Sequence, residues 1–456
     1  MAWHHPRFGD ANAIWRIETE MEMKNIKRMG MLLGCAACMA TANPVWAQTP
    51  TAAQGEITVH VSSQKMALAV LPLNASGNDT LLSQVDAVLS HTLTLTGLFQ
   101  SIPVASFLPG LRQENLSQTD YAKWHNSGAT ALIKGDIRKS GNGYFVDFGL
   151  FDISGEKRIA LPWKAQETHA DKVLDAVYSF VNAVVGYYTG EPGFFGQSML
   201  AVSRDGRGKD ARVVSMLTDG TRVSRVTRST SIEMLPAWGP EGSVLLTSYA
   251  KGNPDLYIVR GGKGKRISSH PGMNSGASYC AGNGRIALTL AKDGDAEIYT
   301  MAQDGSDLRR LTTNRAIDTS PAWSPDCSKI AFVSDRAGSP QIYIMDANGT
   351  NLTRLTTIGR YNANPSWNKY GIIAFSARDE MNNLDIYTIR DDGSDLTRIT
   401  QQQGKNDKPT WSPCGRYIAY SSTRDGASRI YISTADGKSQ APVTTTGWFE
   451  NPVWGH

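Results

Sequence analysis

From residue 197 onward, short apolar runs alternate with polar, glycine-rich breaks, and the alternation repeats with a fixed step. Trp323, Trp367 and Trp411 stand 44 residues apart, within Ser-Pro-Ala-Trp-Ser-Pro, Asn-Pro-Ser-Trp-Asn-Lys and Lys-Pro-Thr-Trp-Ser-Pro. Trp238 in Leu-Pro-Ala-Trp-Gly-Pro and Trp454 in Asn-Pro-Val-Trp-Gly extend the series, and Cys280 in Ala-Ser-Tyr-Cys-Ala-Gly holds the weakened position between them, which makes six units. Tyr257, Tyr299, Tyr343, Tyr387 and Tyr431 follow the same step closely, and the turn glycines Gly305, Gly349, Gly393 and Gly437 follow it without deviation. Within a unit the pattern predicts four strands: a Pro-x-Trp segment, an alternating run such as Lys329–Ser334, a second such as Gln341–Met345, and, after an Asp-Gly or Asn-Gly turn, a run such as Leu352–Thr356. β-branched and aromatic residues at alternate positions suit strands packed on both faces, and Asn-Gly and Asp-Gly supply the left-handed backbone of a tight hairpin.

Four strands per repeat of this length is the pattern of a propeller blade. A sandwich or a solenoid would also use such strands, but the chain ends complement each other. Residues 197–227 offer three strands, in Ser198–Val202, Arg212–Met216 and Arg222–Thr227, and the chain stops just after the Trp454 segment, which offers the fourth. Joined, they close a six-bladed ring and remove the sheet edges that an open array would expose. The propeller is assigned to residues 196–456.

Residues 57–190 lack this period. Met66–Leu73 reads as a strand, and Leu81, Leu82, Val85, Val88, Leu89 and Leu93 have helical spacing after Asn78-Asp79. Ala131–Ile137 and Tyr144–Phe151 flank Ser-Gly-Asn-Gly, a hairpin signal. Thr168 with Asp171 is spaced as a capping box for a second helix through Val173, Leu174, Val177, Phe180, Val181 and Val184, which Gly190-Glu-Pro-Gly193 ends. The fold class expected is therefore α+β multi-domain: an N-terminal α/β domain over 57–190 and a six-bladed propeller of WD40-like (PD40) repeats.

Ahead of both, Lys24, Lys27 and Arg28 precede the apolar run 29–40, and Val45-Trp46-Ala47 supplies a small residue for signal peptidase. That order predicts an export signal over 23–47, cleaved between Ala47 and Gln48, with residues 1–22 an upstream extension. A lipoprotein reading of Cys35 or Cys38 competes, although both lie inside the apolar run. No later segment reaches the roughly 20 apolar residues of a membrane helix.

Composition narrows the function. Lys and Arg number 46 against 42 Asp and Glu, a net +4 that falls to +3 without residues 1–47, too little for a nucleic-acid partner. Cys280, Cys327 and Cys414 follow the signal, so at most one disulfide can form; without paired Cys-x-x-Cys or clustered His they are read as buried thiols, with no metal or cofactor expected. The chain has no Gly-x-Ser-x-Gly and no His-Glu-x-x-His; Gly437-Lys438-Ser439 lacks the earlier glycine of a phosphate loop; His60, His91, His125, His169, His270 and His456 are scattered. No catalytic residue is assigned. A secreted propeller hydrolase of lactonase type, a calcium site in the channel and a scaffold without specific partners remain the competing readings.

The export signal, the α/β front domain, the junction Tyr188-Thr-Gly-Glu-Pro-Gly-Phe-Phe195 and the six Pro-x-Trp units together resemble the TolB family along nearly the whole exported length. Peptidase-associated propellers share the blade motif alone; the combination is specific. The sequence departs from the blade consensus at Cys280, where an aromatic is expected, and at Cys327 and Cys414 in the Ser-Pro-Asp-Gly turn. The resemblance implies a periplasmic, monomeric, non-enzymatic component of the Gram-negative Tol-Pal system, supporting outer-membrane invagination during division and envelope integrity. It implies the lipoprotein Pal as partner of the propeller, TolA as partner of the N-terminal segment 48–62, and further envelope proteins. For Pal, the segments preceding each Pro-x-Trp gather at one channel mouth and carry Glu233, Asn274, Asp318, Thr319, Asn362, Asn364, Asn406, Asp407 and Asn451, unless these only satisfy turn backbones. For TolA, Ile57, Val59 and Val61 alternate within Glu56–Ser62, a strand that could add to a partner's sheet or dock in its own domain.

Overall fold

The computed structural model describes residues 65–73, 80–204 and 210–455. The expected extension (1–22), the export signal with Ala47 and Gln48, and the segment 48–62 with Ile57, Val59 and Val61 lie outside the described residues.

The front domain is a sheet with strand order β2-β1-β3-β4-β5, built from β1 (Met66–Val70), β2 (Phe99–Ser101), β3 (Ala131–Ser140), β4 (Gly143–Asp152) and β5 (Lys157–Arg158), with β6 (Gln166–Thr168) also paired to β4. Its helices are α1 (Thr80–Leu95), α2 (Tyr121–Asn126) and α3 (Val173–Thr189). Alternation in the strands sorts side chains to two faces. Leu68, Ile133 and Phe148 join Val85 and Leu89 of α1 and Phe180 and Val181 of α3, whereas Ala69, Leu132 and Phe151 pack with Phe107, Leu111 and Trp124. The second cluster is anchored by Lys134, whose ammonium donates to Glu114 Oε2 at 2.7 Å and to Thr119 Oγ1 at 2.9 Å. Burial pushes the Lys134 pKa down, and the Glu114 carboxylate opposes that shift.

One sequence expectation fails here. Thr168 does not cap α3: it ends β6, paired with Tyr144, and α3 starts at Val173 behind Lys172 with no side-chain cap. The ladder bonds of the sheet hold Thr168 extended and outrank the local box.

The propeller has six four-stranded sheets. Blades 1 to 5 begin with Glu233–Trp238, Asn274–Cys280, Asp318–Trp323, Asn362–Trp367 and Asn406–Trp411. Blade 6 combines Phe449–Trp454 with Ser198–Arg204, Ala211–Leu217 and Ser224–Arg225. The closure read from the chain ends is thus the one formed, with Trp454 opposite Met199 and Phe449 opposite Ser203. Strand alternation joins neighbours: Ile330 and Phe332 pack on Ala287 and Ile298 of blade 2, while Ala331 and Val333 pack on Ile373 and Phe375 of blade 4. The periodic glycine has a second reason besides its turn. A Cβ on Gly305 (φ 92°) would fall 2.1 Å from the Ile267 carbonyl oxygen of the preceding blade.

Cys280 and Cys327 are joined in a disulfide across 47 residues, with Cα atoms 6.0 Å apart, which corrects their reading as buried thiols. Cys327 occupies the glycine position of its turn with φ 62°, and Cys280 the tryptophan position one blade earlier, so one bridge accounts for both departures from the repeat. Cys414 is free.

The two domains meet through the junction. Phe194 sits edge-on to Tyr417 and to Trp454, with ring centroids 4.8 Å away in each case. Tyr178 donates to Asp219 at 2.6 Å, Tyr417 to the Thr96 carbonyl at 3.0 Å, and Lys369 pairs with Glu191 at 3.1 Å. In each blade the turns joining strands one to two and three to four lie on one face, because the strands are antiparallel, and every one of these contacts falls on that turn face.

Trp454 therefore serves ring closure and domain docking together. Trp454→Ala is expected to cost about 3–5 kcal/mol, the usual range for a buried tryptophan, and to make the α/β domain more susceptible to protease in the same preparation. Chemical denaturation with limited proteolysis checks both; loss of stability with an equally resistant front domain would separate the two roles.

Candidate functional site

The six first strands enclose a channel of about 760 Å³, lined from Leu235 in blade 1 round to Gly455 in blade 6. Each of these strands carries a bulge, visible as a register shift against its second strand, as between Thr319 and Ala322 or Asp407 and Thr410. At the bulge one residue is left-handed in every blade: Leu235 (φ 50°), Gly276 (61°), Ser320 (54°), Asn364 (53°), Lys408 (54°) and Asn451 (53°). Proline follows it in all but blade 2. A non-glycine residue held there costs about 1–2 kcal/mol, so the surroundings must impose it. They do so across blades: the amides of Ser320, Lys408 and Asn451 donate to hydroxyls of the preceding blade, Thr289 at 3.3 Å, Ser376 at 3.0 Å and Ser421 at 2.8 Å.

The residues predicted at the mouth divide into two groups. Glu233, Asn274, Asp318, Asn362 and Asn406 open their strands but are buried, at 3% exposure or less, which corrects their reading as groups presented at the surface. Apart from Asp318 Oδ1, which is buried without a partner among the described residues, their polar atoms are engaged within the protein. Thr227 donates to Glu233 at 2.5 Å, Ser268 to Asn274 at 2.6 Å, and Arg336 pairs with Asp318 at 2.7 Å. Asn362 donates to Gln341 at 2.9 Å and to the Ile358 carbonyl at 2.8 Å, and Asn406 donates to Asp385 at 2.9 Å. Chemically they are loop holders: four bind their blade to the one before it, and Asp318 binds Asn314 of its entry loop and Arg336 of its own blade. Thr319, Asn364, Asp407 and Asn451 are only partly buried; Asn364 and Asn451 line the channel, and Thr319 and Asp407 immediately precede the lining residues Ser320 and Lys408. Asp407 Oδ1 accepts from Asn364 at 3.0 Å and Ser376 at 2.7 Å, which ties blades 4 and 5 together at the rim.

Two residues that sequence reasoning passed over stand out on the same face. Ile358, in the loop entering blade 4, and Met381, in the loop between its second and third strands, are each 67% exposed. Both loops are held from beneath. Gln341 donates to Gly359 O at 3.2 Å, and Asp379 Oδ1 accepts from the amides of Met381 and Asn383 at 3.0 and 2.8 Å. The available signal was a lone large apolar residue in a polar loop, Thr-Ile-Gly-Arg and Glu-Met-Asn-Asn. The mouth thus combines a polar rim with two protruding apolar side chains on braced loops, suited to a protein surface. Among the described residues no group of three or more His, Cys, Asp or Glu could hold a metal ion.

Residues 186–456 match the family model of the TolB beta propeller domain, and residues 56–159 that of the TolB amino-terminal domain. The Tol-Pal system protein TolB of Desulfosudis oleivorans is 37% identical over 230 residues, 49% of this chain and 51% of that protein. The Tol-Pal system protein TolB of Anaeromyxobacter dehalogenans is 33% identical over 297 residues, 64% of this chain and 67% of that protein. The chain therefore spans about half to two thirds of the length of these relatives. The crystal structure of TolB from Acinetobacter baumannii superposes with a TM-score of 0.74 at 24% identity, covering 86% of this chain and 96% of that one, and shares the fold.

The acid in the ring of loop holders is open to test. Burial raises the Glu233 pKa above its ordinary 4.5, against the pull of its bond from Thr227. Its ionisation thus opposes folding: the penalty is absent below the ordinary value and complete above the raised one. Asn occupies the same strand position in blades 2, 4 and 5. Glu233→Gln should therefore melt above the parent at neutral pH and lose that advantage by about pH 4, where the parent carboxyl is neutral as well. Thermal melts across this range check the crossover.

Proposed function

The chain belongs to the TolB family, and from that premise we propose that it is a periplasmic component of a Gram-negative Tol-Pal system that acts by binding proteins, without catalysis. Its work on this reading is to support outer-membrane invagination during division and envelope integrity. Pal docks at the channel mouth opposite the α/β domain, and TolA takes the segment 48–62 through Ile57, Val59 and Val61.

The observation that carries the Pal assignment is the division of the propeller's faces. The α/β domain occupies turns of blades 4, 5 and 6 on one face, through Glu191 with Lys369, Thr96 with Tyr417 and Tyr178 with Asp219. The other face presents the channel rim, Thr319, Asn364, Asp407 and Asn451, beside Ile358 and Met381. A protruding loop of the partner would find amide and carboxylate groups within the rim and apolar anchors outside it. Such anchors carry most of the energy of an interface while the surrounding polar contacts exclude water. The five buried residues contribute indirectly, Asn362 and Gln341 by fixing the loop that raises Ile358.

Ile358→Asp combined with Met381→Asp should reduce capture of Pal in a pull-down by at least about tenfold, as loss of two exposed apolar anchors would. The melting curve should stay within a degree or two, since neither side chain is packed. Undiminished capture would move the Pal site elsewhere. Deleting residues 48–62 should abolish TolA binding while leaving Pal capture intact; full TolA binding by the truncated chain would refute the second assignment.

A further inference from the structure

Blade 1 ends differently from the others. Its fourth strand, Lys263–Ser268, has six residues, whereas those of the other blades have two or three. It follows a hairpin closed by Gly261 and Gly262 with φ 54° and 77°, the two-residue turn that needs both central residues left-handed. In such a hairpin the flanking pair, Arg260 with Lys263, exchanges both backbone bonds, and bonded and non-bonded pairs then alternate. Lys265 consequently bonds inward to Ile258, while Gly264 and Arg266, opposite Val259 and Tyr257, turn their N–H and C=O groups away from the sheet. Gly305 of blade 2 approaches this strand at the Ile267 carbonyl. Residues 261–266 are all exposed.

The charge around this edge is mainly positive. Lys263 and Lys265 form no ion pair with a described residue, and neither do Arg225 and Arg228 beside the adjoining outer strand of blade 6; Gly262 faces the carbonyl of Val226 between them. Arg266 pairs with Asp255 and keeps 45% of its side chain exposed. Of the acids near this edge, Glu233 and Asp255 are buried at 3% exposure or less, and Asp210 is exposed but pairs with Arg212. Glu241 is exposed but lies within 3.7 Å of Arg260, and Asp304 is near enough for Lys265 to contribute to holding its pKa down. Lysine on an edge strand often serves to block pairing between like chains. Here, however, the edge is longer than any other in the ring and contains a side-chain-free position at an outward-facing amide.

We infer that the outer edge of blade 1 docks an extended acidic segment of a partner protein, which adds as a fifth strand beside Lys263–Arg266. Backbone bonds to Gly264 and Arg266 fix the segment, and carboxylates at alternate positions, all on one face of the added strand, meet Lys263 and Lys265. The like-charged second copy that the lysines repel is replaced by a partner of opposite charge. This surface is distinct from the channel mouth and does not depend on the identity of the protein bound there.

The test uses the full chain and a fluorescent peptide of about ten residues alternating Glu with Val, the length of an ordinary strand. Saturable binding by anisotropy is expected at low salt, weakened at least about tenfold by Lys263→Glu with Lys265→Glu. The same loss is expected from Gly264→Pro, which removes an outward donor while sparing the inward bonds. It is also expected with the unmodified chain when alternate amides of the peptide are N-methylated, so the backbone contribution can be read even if the proline variant folds poorly. Absence of binding, or equal affinity for the methylated peptide, overturns the proposal. Vesicles of anionic phospholipid supply the last arm: binding them tightly while ignoring the peptide would identify a lipid-facing patch and overturn it as well.

Discussion

Closure of the ring is the constraint on which the remaining structure depends. A four-stranded blade cannot bury both faces alone, so each waits on its neighbour, and the last neighbour is reached only when Phe449–Trp454 adds to Ser198–Arg204. Arg204 and Glu450 pair across this seam at 2.6 Å with both side chains mostly covered. Trp454, at the end of the closing strand, is also the surface on which Phe194 rests. The junction sequence after Gly190 therefore lies against the seam that its own first strand helps to form. Domain orientation follows from closure: the front domain can find Tyr417, Asp219 and Trp454 in register only on a completed ring.

The channel wall follows from the same constraint at finer scale. Adjacent first strands do not pair as a sheet; they are stitched by side chains, as where the Trp323 and Trp411 amides donate to Ser278 and Ser366 at 3.3 Å. The left-handed residues Ser320, Lys408 and Asn451 each turn an amide to the preceding blade, and the residues after the bulge line the channel. Strain repeated around a ring and compensated by inter-blade bonds gives a rigid rim, since no single blade relaxes without breaking a neighbour's contact. Rigidity at the rim would limit the entropy lost on binding at the proposed site.

Much of this architecture was legible in the sequence, because a step near 44 residues over six units and two complementary ends overdetermine a closed ring. The unread features have identifiable causes. Strands of two residues such as Arg309–Arg310 are too short to show a period. An Asn or Asp at the start of a first strand reads identically whether it faces solvent or holds a loop; only the fold reveals that Asn406 lies between Asp385 and Arg424. Cys280 and Cys327 looked like two separate faults in the repeat, and their bridging needed the distance between blades, which a linear spacing of 47 does not give. Thr168 failed as a cap because its β-sheet partner, Tyr144, lies 24 residues upstream, beyond the reach of a local rule. At the candidate site the polar rim was visible in outline, but Ile358 and Met381 were not, since one apolar residue in a loop has no periodic partner.

A net charge of +4 spread over the sequence suggested no polar asymmetry. The fold creates one by sorting signs according to depth. Acids in and near blade 1 serve as buried acceptors for the loops, as Glu233 does for Thr227 and Asp255 for Asn253, while the bases are left outside. Burying a carboxylate with its hydrogen bonds satisfied hides it from approaching molecules, whereas an exposed lysine acts at the range of the screening length, about 8 Å at physiological salt. Lys263, Lys265 and Arg266 are thus left exposed along the longest outer strand of the ring. One face is taken by the front domain, the opposite one carries the rim, and the flank of blade 1 lies on neither. Three sets of contacts can thus coexist on one closed ring, as the proposed binding role would require.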